Sequence, residues 1–350
     1  MKFIDISGVG SSGKSAVGDV LREIDGIHVP HFQFEFDFIR VRGGLLDMRN
    51  ALQEDWSPVR SHAAYNEFLR VASTMGINPK PWDIVGIMNS TSQRYDRAFS
   101  GQFLKLTQNF AQSLVVGSYR ASWPYDGLTK SPLSRLISKL AYYLRSGKHI
   151  ESDVLLLDGA DFDAKAEKYL NALYAAIVPD HKQVVVLNNG LEPFNPLLGL
   201  SLLGEGARQI IVLRDPRDIY VSGQNPEKMA PSDKDMLAFD NKGNEKSFLA
   251  ADDLELFVKR YRLYNEQVYA GDDPRVLKVY FEDLVLNYTQ TLEGILDFLG
   301  ISSEQHVNKK KFFDPGVSSK GVGLWQRYSG KDELAYLERE LGDYLYETAE

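Results

Sequence analysis

The chain has 350 residues, enough for one large or two ordinary domains with an ample core. An apolar fraction of 43% and a charged fraction of 25% are those of a soluble globular protein. A net charge of -8 argues against a general nucleic-acid binder, and the absence of cysteine excludes disulfides, a thiolate nucleophile and cysteine-ligated metal centres.

The opening Met1-Lys-Phe-Ile-Asp-Ile6 places an acid where a signal peptide needs an apolar run. No stretch approaches the roughly 18 apolar residues of a membrane span. A cytoplasmic protein without stable membrane insertion is the expectation. Residues 2–7 read as a strand and 16–24 as a helix. Between them Gly8-Val-Gly-Ser-Ser-Gly-Lys-Ser15 matches the phosphate-binding pattern G-x-x-x-x-G-K-[ST] in the strand–loop–helix context that gives the pattern meaning. Glycines let successive N–H groups turn inward, and the helix adds the positive end of its dipole. Gly10, Ser11, Ser12, Gly13, Lys14 and Ser15 are therefore candidate phosphate ligands. A second strand-like segment, Ile27-His-Val-Pro-His-Phe-Gln-Phe-Glu-Phe-Asp37, carries the acid–base candidates Glu35, His31 and Asp37, with Arg40 and Arg42 nearby.

From about 40 to 150 the patterns are mainly helical, as in 65–72 and 133–144, which predicts a helical insertion or cap within a single domain. Tyr119, Trp123 and Tyr125 cluster there, suited to core packing or to a sugar face. Further strands are expected at 153–158, 183–188, 209–213 and 276–281. Their near-continuous Val/Ile/Leu content predicts burial on both faces, hence a parallel sheet flanked by helices at 164–177, 252–269 and 287–300. In the last of these Asn287 and Gln290 suit a cap, and Gly300 a stop. The polar segment 224–247 reads as a loop. The fold class is α/β of the P-loop type with a largely helical insertion.

Arg214-Asp-Pro-Arg-Asp218 leaves a buried strand and enters a helix, with Asp215 as cap, Pro216 at the first helical position and Asp218 completing the capping pattern. Arg214 thus sits at a strand's carboxyl end, and Ser222 about two turns along the helix. Arg214 either meets an anion there or pairs with Asp215 or Asp218 to brace the turn.

The run Leu213-Arg-Asp-Pro-Arg-Asp-Ile-Tyr-Val-Ser222 resembles the 3′-phosphate motif of the PAPS-dependent sulfotransferases. Tyr280-Phe-Glu-Asp-Leu284 is similar to the family's Tyr-Glu-Asp-Leu strand, and Ser318-Ser-Lys-Gly-Val-Gly-Leu-Trp325 to its late loop over the cofactor. The resemblance implies transfer of a sulfuryl group from 3′-phosphoadenylyl sulfate (PAPS) to a small-molecule or saccharide acceptor, without a metal. It implies Lys14 and Ser15 at the 5′-phosphosulfate, Arg214, Ser222, Lys320 and Gly321 at the 3′-phosphate, and a base among Glu35, His31 and Asp37. One departure stands out. The family's 5′ loop reads Lys/Arg-Ser-Gly-Thr-Thr, whereas here Ser11 holds the basic position and Lys14 the first Thr position. That keeps open a small-molecule kinase using ATP and Mg²⁺, for which Asp158 would hold the metal, and a non-enzymatic nucleotide-binding module. Oligomeric state and acceptor are not legible.

Overall fold

The computed structural model describes residues 1–30, 34–91, 93–121, 123, 125, 132–144, 151–192, 194–195, 197–224 and 253–347. In chain order the strands are β1 (Lys2–Ser7), β2 (Ile27–His28), β3 (Val115–Ala121), β4 (Ser152–Leu157), β5 (Val184–Asn188), β6 (Arg208–Leu213) and β7 (Val276–Tyr280). Contacts divide the chain into two compact units, one of residues 1–37 with 178–350 and one of residues 38–177.

The first unit is built on a parallel sheet in the order β2-β5-β1-β6-β7. β1 is central: Ile4 pairs with Val186 on one side and Arg208 on the other. Phe3, Ile4 and Ile6 are buried, as a strand covered on both faces requires. One face receives α1 (Lys14–Arg22) through Val17, Val20 and Leu21, together with Ile295 and Leu296 of the helix Tyr288–Leu299. Each such fully buried aliphatic side chain stabilises the fold by about 1.5–3 kcal/mol. The other face receives Phe257, Val258, Tyr261 and Tyr264 of the helix Leu254–Val268, with Leu334 and Leu337 of Lys331–Glu340. β1 also buries two polar residues, Ser7 and the acid Asp5. The Asp5 carboxylate accepts N–H groups from Gly190 at 2.7 Å and Leu191 at 3.2 Å, and also bonds Ser7 and Gln209. It thereby fixes the chain just beyond β5.

In the second unit, helices Pro58–Gly76, Phe103–Ser113 and Phe162–Ala175 carry much of the core. Aromatic rings fill it, with Phe38 4.9 Å from Phe68 and Phe110 5.1 Å from Tyr169. Thr107 Oγ1 and the Tyr169 hydroxyl bond at 2.7 Å.

Four expectations need correction. The strand expected at 153–158 does not join the parallel sheet; it is β4, paired antiparallel with β3 in the second unit. Its apolar run does not mark burial on both faces, since Leu156 is 37% exposed while Val154 and Leu157 are buried. The helix expected at 164–177 belongs to that unit too, as Phe162–Ala175. The strand expected to 281 ends at Tyr280, and Phe281–Leu286 is a helix. Asn287 makes no side-chain cap; its Nδ2 donates instead to Asp283 at 3.3 Å, while Gly300 closes the helix at φ +65. The loop expected at 224–247 lies, from 225 on, outside the described residues. No described helix is long and apolar enough to cross a membrane.

Candidate functional site

β1 and β6 are neighbours, so the loops that leave them emerge at one carboxyl edge of the sheet. After β1 the chain turns tightly: Ser12 N–H donates to Val9 O at 3.1 Å, and Ser11 and Gly13 adopt φ of +66 and +88. A side chain at Gly13 would be strained by that φ, and its Cβ would come within 2.4 Å of Phe281. α1 then begins at Lys14, where the first N–H groups of a helix have no intrahelical acceptor. The buried Ser12 hydroxyl has no hydrogen-bond partner among the described residues.

Lys14 turns toward the acid–base segment. Its Nζ lies 2.8 Å from Glu35 Oε1, and that same oxygen accepts from Asn189 Nδ2 at 3.0 Å. Asn189 in turn accepts from Gly8 N–H at 3.1 Å through Oδ1, and stands in the left-handed region at φ +46. One amide side chain thus spans the start of the phosphate loop and the candidate base. Sequence reasoning missed it. The available signal was the strand-end position of Leu187-Asn-Asn-Gly190 at the sheet's ligand edge. His31 lies outside the described residues, and Asp37 heads the short turn Asp37–Ile39.

At the exit of β6, Asp215 caps the helix Pro216–Gly223 by accepting from Arg217 N–H at 2.8 Å, as its sequence predicts. The two arginines divide the work. Arg217 is the brace: it binds Asp215 through Nε at 3.0 Å and Nη2 at 2.7 Å, reaches Glu338 at 2.8 Å, and stacks 3.8 Å over Trp325. Arg214 instead donates Nη1 to Ser11 O at 2.7 Å and Nη2 to Gly321 O, and sits 4.9 Å over Phe281. Asp218 is 3.8 Å from it, too long for a hydrogen bond. Burial opposes the Arg214 charge and lowers its pKa, while the fields of Asp218, Glu282 and Asp215 act the other way. Asp218 does not complete a capping box, as its spacing suggested. Its carboxylate accepts from Gly323 N–H at 2.9 Å and Trp325 N–H at 3.1 Å, fixing the late loop.

These pieces enclose a cavity of about 1030 Å³. Ser11, Gly13 and Ser15 line it from the first loop, Arg214 and Ser222 from the second motif, and Lys320 and Gly321 from the late loop. Gly10, Ser12 and Lys14 are not in its wall. Sequence reasoning missed three further cations there, Lys310, Lys311 and Arg327. Arg327 also ties the late loop internally, donating to Lys320 O at 2.9 Å. The wall is suited to an anion with charge at more than one place. Beside it, Lys14 and Glu35 offer a cation and a proton acceptor in contact. Asp158 belongs to the second unit, where Oδ1 accepts from Ala160 N–H at 2.9 Å. Of the aromatic cluster, Trp123 contacts Tyr125 at 5.5 Å and His62 at 5.6 Å, and Tyr119 and Tyr125 are exposed.

Residues 198–305 match the model of the Sulfotransferase family. The stretch contains β6, the Arg214 motif and the helices around β7, so the resemblance read from the motifs is shown there. No curated protein sequence matches the chain. Among solved structures, the sulfotransferase domain of a Synechococcus olefin synthase is 14% identical, with 99% of this chain and 95% of that one covered and a TM-score of 0.40. A sulfotransferase from Mycobacterium avium is 11% identical, with 98% and 75% covered and a TM-score of 0.38. Retinol dehydratase, solved with androsterone and the inactive cofactor PAP, is 15% identical, with 100% and 83% covered and a TM-score of 0.34.

Proposed function

We propose that the chain is a sulfotransferase that moves a sulfuryl group from PAPS to a hydroxyl of a small-molecule or saccharide acceptor. The observation that carries this reading is the shared cavity. Two anion motifs that lie 203 residues apart, at Ser11 and Arg214, meet through a direct hydrogen bond on one wall. A nucleotide with phosphate at its 3′ position and phosphosulfate at its 5′ position needs both. The match to the Sulfotransferase family over 198–305 supports the same assignment.

The chemistry is an in-line displacement in which positioning and charge stabilisation supply most of the acceleration. The acceptor oxygen bonds to sulfur, the sulfur–oxygen bond to the nucleotide breaks, and the acceptor proton passes to Glu35. The nucleotide leaves as 3′,5′-adenosine bisphosphate. The role is supported by the contacts of Glu35, which accepts from Asn189 Nδ2 at 3.0 Å and is held by Lys14 at 2.8 Å before substrate arrives. A phosphosulfate in the loop offers Lys14 a second anion and releases the carboxylate to accept a proton. A positioned base contributes about 10²–10⁴-fold. A donor aimed at the oxygen that gains charge contributes about 3–4 kcal/mol. Arg214, Ser222, Lys320 and Gly321 hold the 3′-phosphate, and no step calls for a metal ion.

The kinase reading needs a carboxylate at the end of a strand in the parallel sheet. β4, whose end carries Asp158, pairs with β3 instead. The discriminating experiment is thermal unfolding with 3′,5′-adenosine bisphosphate in metal-free buffer, against ATP with Mg²⁺. The bisphosphate at 100 times its Kd is expected to stabilise the protein by about 2.7 kcal/mol. Stabilisation by ATP with Mg²⁺ alone would establish the kinase reading in its place.

A further inference from the structure

A buried carboxylate with no part in the mechanism lies at the far end of α1. Glu23, fully buried, follows the last residue of that helix. Its Oε1 accepts from the N–H groups of Phe312 at 2.8 Å and Phe313 at 2.9 Å. Its Oε2 accepts from Lys310 N–H at 3.1 Å and lies 2.7 Å from Nε2 of His306, itself 3% exposed. Burial pushes the Glu23 carboxyl upward, but these donors outweigh it and hold the group below the usual carboxylate range. The main chain adds to the attachment, with Asn308 N–H on Glu23 O at 3.2 Å and Asp25 N–H on Gln305 O at 2.8 Å.

What this carboxylate holds is a piece of the cavity wall. Lys310 and Lys311 line the cavity, and Lys310 is kept in the left-handed region at φ +59. With Arg214, Lys320 and Arg327 they make five cations around it, against the carboxylates of Asp19 and Asp314. The backbone that places both lysines is held by the side chain that caps the end of α1, and the other end of α1 carries the phosphate loop.

We propose that Lys310 and Lys311 bind a phosphate group of the nucleotide, and that Glu23 is the positioning residue that sets their contribution without touching the ligand. The proposal rests on the nucleotide reading of the cavity given above. No member of this group lies in either of the phosphate motifs.

A double-mutant cycle tests it, with 3′,5′-adenosine bisphosphate as the probe and calorimetry as the readout at several salt concentrations. Lys310→Gln/Lys311→Gln is expected to weaken binding about tenfold or more and to flatten its salt dependence. Glu23→Gln leaves an amide N–H facing Lys310 N–H, and is expected to weaken binding comparably with the same flattening. On the lysine-substituted background Glu23→Gln should add little, because its effect passes through those lysines. Equal losses on both backgrounds, or a Glu23→Gln protein that binds like wild type, would overturn the proposal. Should Glu23→Gln not fold, as judged by circular dichroism, His306→Ala takes its place in the cycle. Failure of the wild-type protein to bind the bisphosphate would overturn the nucleotide reading itself, a result distinct from either of these.

Discussion

Glu282 is 1% exposed, and its Oε1 accepts from Asp215 N–H at 2.9 Å, beside Arg214. Burial is the largest influence on it and pushes its pKa to about 7 from an ordinary 4.5, while the bond from Asp215 and the charge of Arg214 pull downward. Between those two values the native protein keeps a proton that the unfolded chain gives up. Stability contributed by this group is therefore present in acid, falls as pH rises through the window, and is lost above pH 7. The gap from 4.5 to 7 corresponds to about 3 kcal/mol at about 1.36 kcal/mol per pH unit. Glu282→Gln keeps the acceptor for Asp215 N–H and removes the ionisation. The unfolding free energy of the variant, minus that of the wild type, should therefore climb by about 3 kcal/mol between pH 4.5 and pH 8. Urea titrations of both proteins across that range measure it. Asp5 and Asp218, whose pKa values burial also raises, are present in both and drop out of the difference. A difference that stays flat with pH would refute the claim that burial governs Glu282.

Other outcomes follow from the same geometry. Lys14→Ala should lower single-turnover sulfuryl transfer by about 10²–10³-fold with folding intact, and rates like wild type would remove the lysine from the mechanism. Glu35→Gln should lower kcat by about 10²–10⁴-fold without weakening bisphosphate affinity. Gly13→Ala combines φ +88 with a Cβ 2.4 Å from Phe281, and should lower both the melting temperature and bisphosphate affinity. An unchanged melt would mean that the turn relaxes freely.

What the sequence revealed of this protein, and what it hid, divide along physical lines. Strands buried on both faces announce themselves as Val/Ile/Leu runs, which is why β5 and β6 were legible. Such a run does not name its partner strand, and β4 accordingly paired with β3. The phosphate loop and the Arg214 corner were legible because tight turns and caps demand particular residues at fixed offsets. The divided roles of Arg214 and Arg217 were not, since both are arginines three residues apart and only packing against Trp325 and Ser11 separates them. Asn189 and Glu23 were hidden for another reason. Their partners lie 181 and 283 residues away, at Gly8 and His306, and no local pattern connects them.

The guanidinium of Arg214 joins the carbonyls of Ser11 and Gly321, gathering the beginning, the middle and the end of the polypeptide on one side chain. Contacts so distant along a chain are the slowest to find one another. During synthesis the first loop leaves the ribosome long before the segment that completes its surroundings exists. Ligand capture should therefore emerge in one late step, when the final segment docks, and a nascent chain halted before Gly321 should show none.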